Sequence, residues 1–124
     1  MIERIEGLPP NTLGFKAVGI VTGADYENVI VPAVEKKLSE YSHVRLLYQL
    51  GDEFSKFEMA ALWQDTKVGL KHLPSWERIA VVTDVEWIRN VVRAFGFMMR
   101  GRLRIFANKD VSEAKEWLLE EASD

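Results

Sequence analysis

Apolar and charged residues alternate over Ile2–Glu6 and again over Leu13–Thr22, where Leu13, Phe15, Ala17 and Val21 share one side. A two-residue period predicts strands. Gly7-Leu8-Pro9-Pro10-Asn11 between them is dense in turn formers, so a hairpin-type connection is expected. The period then changes: Ile30, Ala33, Val34, Leu38 and Tyr41 fall at helical spacing. Asp25 is placed to cap that helix. Pro32 inside it predicts a kink or a break, because proline donates no backbone hydrogen bond. Val44–Leu50 is almost continuously apolar, as expected of a strand covered on both faces. A loop, Gly51–Lys56, leads to a second helix over Phe57–His72. Its stripe is Met59, Leu62, Trp63, Thr66, Leu70 and Leu73, and Pro74 ends it.

The same units recur. Arg78–Thr83 reads as a buried strand, and Asp84 is placed to cap a third helix carrying Ile88, Val91, Val92 and Phe95 inward. Leu103–Ala107 is a last strand. Asp110 with Glu113 has the form of a capping box for a final helix, Val111–Glu121, whose stripe is Ala114, Trp117 and Leu118. The order β-β-α-β-α-β-α-β-α implies an α/β fold: one mainly parallel sheet of four to five strands, an antiparallel edge strand and four flanking helices. No repeat, low-complexity tract or linker interrupts it, so residues 1–124 read as one domain.

Composition narrows the chemistry. There is no cysteine, which excludes disulfides, thiol nucleophiles and thiolate metal sites. With two histidines far apart in sequence, a metal site is not expected. No glycine-rich nucleotide loop or Gly-x-Ser-x-Gly elbow can be drawn, so no cofactor is expected. The chain opens without the apolar core of a signal peptide and has no run long enough for a membrane span, so the expected compartment is the cytoplasm. Charge is segregated. Arg89, Arg93, Arg100, Arg102, Arg104 and Lys109 lie in a stretch, Trp87–Lys109, with no acid, and all 19 acidic residues lie outside it. Such a pattern suits an anionic partner, or a basic strand beside the acidic last helix.

The unusual apolar feature is at the third helix, which runs into Phe95-Gly96-Phe97-Met98-Met99. Together with Trp63 and Trp87, these side chains exceed what one buried face needs, and they mark either core or a pocket between the second and third helices. Arg93 and Arg100 flank the segment. Asp52, Glu53 and Ser55 sit where strands end, the usual place for ligands in open α/β sheets. Paired carboxylates there could do acid–base work, but solvated loop charges fit as well.

The run Ala61-Leu62-Trp63-Gln64-Asp65-Thr66-Lys67-Val68-Gly69-Leu70-Lys71-His72, with Trp76-Glu77-Arg78-Ile79-Ala80-Val81-Val82-Thr83-Asp84 and Trp87, resembles the SpoIIAA-like branch of the STAS-type fold. Asp25-Tyr26-Glu27 with Pro32 and Glu35, Val44-Arg45-Leu46-Leu47, and Ala114 with Trp117-Leu118 extend the likeness over nearly the whole chain. The resemblance implies a four- to five-stranded sheet with four helices, a fold similar to lipid-carrying CRAL-TRIO domains. It also implies the regulatory role of anti-anti-sigma factors, switched by phosphorylation of a serine at the second helix. The Asp-Ser-Ser-Gly-like turn that carries that serine is absent, and Ser55 is the nearest hydroxyl.

The function expected is a non-enzymatic binding domain for an apolar or amphipathic small ligand. Trp63, Trp87, Phe95, Phe97, Met98, Met99, Arg93 and Arg100 are its candidate contacts. The alternative is a protein-interaction module of the anti-anti-sigma type, acting through Asp52, Glu53 and Ser55. Expected partners are therefore a small apolar molecule or lipid, or a protein, with a homodimer left open. Neither nucleic acid nor stable membrane insertion is expected.

Overall fold

Alternating strands need a sheet neighbour on each side, and the chain supplies them in an order set by its crossovers. A computed structural model describes residues 1–61, 64, 67, 71, 73–99 and 102–120. Its strands are β1 (Ile2–Arg4), β2 (Thr12–Ala17), β3 (Gly19–Val21), β4 (Val44–Leu50), β5 (Phe54–Phe57), β6 (Trp76–Thr83) and β7 (Leu103–Phe106). Among the described residues, one sheet runs in the order β1-β2-β4-β6-β7. β1 is its antiparallel edge, and the other pairs are parallel. The expected mainly parallel sheet with an antiparallel edge is therefore present.

Four helical segments accompany it. α1 comprises a first turn, Gly23–Asp25, a π-helical turn, Tyr26–Ile30, and an α-helical stretch, Val31–Glu40. α2 is represented by the helical residues 59–61, 64, 67 and 71. α3 is Glu86–Gly96 and α4 is Val111–Leu119.

Period-two alternation sends neighbouring residues to opposite sides of the sheet. Leu13, Phe15 and Ala17 of β2, Leu46, Tyr48 and Leu50 of β4, and Ile79 and Val81 of β6 join the core beneath α1 and α3. Leu47, Ala80, Val82 and Phe106 face the other way and pack with Ala114, Trp117 and Leu118 of α4. Arginine holds α4 in place. Arg78 Nη1 donates to the carbonyl of Trp117 at 2.6 Å, and its guanidinium lies 4.8 Å from the Trp117 ring centre. Arg45 Nη1 donates to the Leu118 carbonyl at 2.6 Å, and Glu120 N also donates to the Trp117 carbonyl, so both carbonyls at the helix end are satisfied. Arg104 of the basic stretch also stacks on Trp117, at 5.4 Å.

The structure corrects several local expectations. The strand expected over Leu13–Thr22 breaks after Ala17, because Gly19 turns the chain at φ +62° and donates to the Glu53 carbonyl. The expected loop Gly51–Lys56 instead contains β5, which runs parallel to β3, so Phe57 ends a strand rather than opening a helix. Strand pairing overrides the helical spacing there. The break expected at Pro32 takes the form of the π turn before it. Proline then occupies the start of the resumed α-helix, where its missing N–H costs nothing.

Thr22, not Asp25, caps α1. Its hydroxyl accepts from Asp25 N at 3.1 Å while Asp25 Oδ2 accepts from Thr22 N at 2.8 Å, a reciprocal box. Asp84 does not cap α3, which starts after Val85 without a side-chain cap; Asp84 Oδ1 instead accepts from Asn108 N. Asp110 precedes α4 without a capping hydrogen bond from its side chain.

Burial pushes the Asp25 carboxyl up, but hydrogen bonds from Thr22 N and Oγ1, and the Met1 ammonium at 3.3 Å, outweigh it and hold it below its ordinary value. A carboxylate depressed in the native state stabilises at neutral pH, and that contribution disappears as pH falls through the lowered native value. Asp25→Asn should therefore be less stable than the parent at neutral pH, with the gap closing at strongly acid pH. Thr22→Ala should cost about 1 kcal/mol at neutral pH. Urea unfolding followed at several pH values measures both.

Candidate functional site

Two features of α1 and α3 leave space above the sheet. The π turn adds a residue to one turn of α1; Tyr26 and Ile30, four residues apart on one face, are buried, with Val34 a turn later. Across the sheet, α3 carries an apolar stripe wider than its buried edge. Ile88 is buried, Val92 and Phe95 are half-buried, and Trp87 and Val91 are 47% and 59% exposed. Between them lies a cavity of about 170 Å³. Phe15, Leu46, Tyr48, Leu50, Ile79, Val81 and Leu103 form its floor. Phe57 and Trp76 also line it, and Phe57 meets Trp87 edge-to-face at 6.2 Å.

The lining is aromatic and aliphatic. Among the described lining residues there is no Asp, Glu, Lys, Arg or His. Polar character comes from Tyr26 and Tyr48, whose hydroxyls lie 2.8 Å apart and join α1 to β4. Trp76, in the same lining, is 1% exposed, and its indole N–H has no protein partner among the described residues.

The candidates named from sequence separate into groups. Trp87 and Phe95 line the cavity. Phe97 lies 88% exposed just past α3, and Met98 is 46% exposed; neither is in the lining. Met99 is fully buried in the core. Arg93 is exposed and donates to Asn90 Oδ1 at 2.8 Å. Trp63 and Arg100 lie outside the described residues. The described walls are thus α1, the sheet and α3. Sequence reasoning placed the pocket between the second and third helices and did not include Tyr26, Tyr48, Phe57 or Trp76 among its candidate contacts. Tyr48 was the available signal: a phenol on the same face of β4 as Leu46 and Leu50 needs a buried partner for its hydroxyl.

The alternative face is built from polar contacts. Glu53 pairs with Lys16 at 3.3 Å, and Asp52 Oδ1 accepts from Asn108 Nδ2 at 3.4 Å. Ser55 is exposed on β5. Among the described residues no group of three or more His, Asp or Glu could hold a metal ion, and no helix is long and apolar enough to cross a membrane.

A family model described as SpoIIAA-like matches residues 12–119. The chain belongs to the SpoIIAA-like family. Similar to it in structure is a protein of the DUF3478 family with a SpoIIAA-like fold from Shewanella loihica PV-4, known from its crystal structure. That protein is 28% identical with a TM-score of 0.74, over 95% of this chain and 92% of that one. No curated protein matches the chain. The SpoIIAA-like fold is typically non-catalytic.

Residues two positions apart in this SpoIIAA-like domain should respond very differently to truncation. Phe97→Ser should change stability by less than about 0.5 kcal/mol, because the ring is already in water. Met99→Ala should cost about 2–5 kcal/mol. Thermal and urea unfolding of the two variants checks the contrast.

Proposed function

We infer that this domain is a non-enzymatic binding protein whose ligand is a small apolar or amphipathic molecule, held in the cavity between α1, the sheet and α3. The observation that carries this reading is the cavity itself, a concave apolar space with a few polar groups in its wall, the usual form of a small-molecule site. Its volume is close to that of an engineered protein cavity of about 150 Å³ that stays dry and takes up benzene. Exposed Trp87 and Val91 belong to both the lining and the surface, so they give the ligand a way in. Burial of apolar ligand surface supplies the driving force, at about 25 cal/mol per Å².

The regulatory reading has less behind it. Ser55 lies within a strand rather than at a helix N-terminus, where backbone N–H groups would stabilise an added phosphate.

Titration with 1-aminonaphthalene, an environment-sensitive fluorophore of suitable size, tests the reading. The parent protein should show a saturable rise in emission. Val91→Asp, which places a charge at the rim, should weaken binding by about tenfold, whereas Phe97→Asp should leave it unchanged. No saturable binding to the parent, or loss of binding in Phe97→Asp alone, would contradict the site.

A further inference from the structure

α3 divides its apolar residues between two faces. Ile88, Val92 and Phe95 pack on the core, whereas Trp87, Val91 and Ala94 are exposed, and the exposed Met98 continues their row just past the helix. The exposed row repeats at spacings of four, three and four residues, the pattern of a seam between two helices. A helix that is apolar on a second face has a second surface to bury. Beside that row runs a polar one with the same spacing, Glu86, Asn90 and Arg93, all exposed. Among the described residues neither Glu86 nor Arg93 is in an ion pair, and Arg93 donates to Asn90 Oδ1. One flank of the seam thus carries an acid at its start and a base seven residues on.

Two copies of such a helix satisfy both charges in one orientation. An antiparallel pair brings the same flank of each helix together, so Glu86 of one copy faces Arg93 of the other, and the contact occurs twice. A parallel pair would set this flank against the side that carries Ile88 and Phe95, which the core already occupies. We propose that a second copy of this chain covers the exposed face of α3, in an isologous dimer with antiparallel α3 helices. In the register set by the charges, Asn90 of both copies lies near the two-fold axis, and Trp87 of each lies over Val91 of the other. The seam is about three helical turns long, which puts the interface in the small, reversible class. Trp87 and Val91 also border the cavity, so the dimer covers the two mouths and ligand enters the monomer.

Sedimentation equilibrium over a range of protein concentrations, at about 0.15 M salt, tests the seam. The parent should dimerise with a dissociation constant of about 10–100 µM. Glu86→Arg and Arg93→Glu each turn both charge contacts repulsive and should weaken the dimer at least about fivefold. The double reversal should restore it to within about twofold of the parent. Val91→Asp should weaken it at least about tenfold, because it buries a charge in the seam. All three side chains are exposed, so the variants keep the parent fold. Glu86 and Arg93 lie outside the cavity lining, so their reversal reads the seam alone and leaves 1-aminonaphthalene binding to dilute protein at its parent value. A parent that stays monomeric up to about 1 mM, or a dimer that persists unweakened in Val91→Asp, overturns the proposal. Single reversals without effect, or a double reversal that rescues nothing, overturn the antiparallel pairing.

Discussion

Two-residue alternation along β4 and β6 divides the apolar residues of this chain between two layers, and the site depends on that division. Leu47, Ala80 and Val82 point to α4 and close a compact core with Trp117 and Leu118. Leu46, Tyr48, Leu50, Ile79 and Val81 point the other way, toward α1 and α3. A one-residue shift in either strand would exchange these sets and remove both cores together. The α4 side is fixed further by Arg45 and Arg78, which reach from the sheet to the last carbonyls of the helix. That anchoring leaves the opposite face as the place where space can remain.

Space there is shaped by an irregularity. The π turn advances later side chains by a different angle than a regular α-helix would, while Tyr26 and Ile30, four residues apart, stay on one buried face before Pro32 restarts ordinary geometry. Tyr26 then meets Tyr48 from above, and the two hydroxyls act as a strut between helix and sheet. On the other side, α3 commits only the edge of its stripe at Ile88 to full burial, leaving Trp87 and Val91 at the surface. An apolar space between a strutted helix and a partly committed one is a reasonable place for a ligand, and its few polar atoms are already positioned by the fold.

The architecture was legible because periodicity reports burial directly. The near-solid apolar runs Val44–Leu50 and Ile79–Val82 announced strands covered on both faces, and the resemblance around Trp63–Asp84 pointed to the family that the comparison establishes. Local features were less legible where tertiary pairing or backbone geometry won. Phe57 fits a helical stripe, yet β3 draws it into a strand. Asp25 looks like a cap, but Thr22 one turn earlier completes the better box. At the site, residue type marked Trp87 and Phe95, whereas Phe97 and Met99, equally apolar and two residues apart, fall at opposite extremes of burial. A hydrophobic run cannot say which of its members reaches the core, because that depends on where the helix ends. The tyrosine pair was hidden for a related reason: Tyr26 and Tyr48 come together only through the crossover between β2 and β4.

The central claim is that the space between α1 and α3 persists as an open, apolar cavity. Crystals pressurised with xenon test it directly, since xenon enters apolar cavities without needing a hydrogen bond. A xenon atom in contact with Ile30, Val81, Ile88 and Val92, with the surrounding side chains unmoved, is the expected result. Crystals showing no xenon there, with Trp87 or Phe95 folded inward to fill the space, would contradict the account.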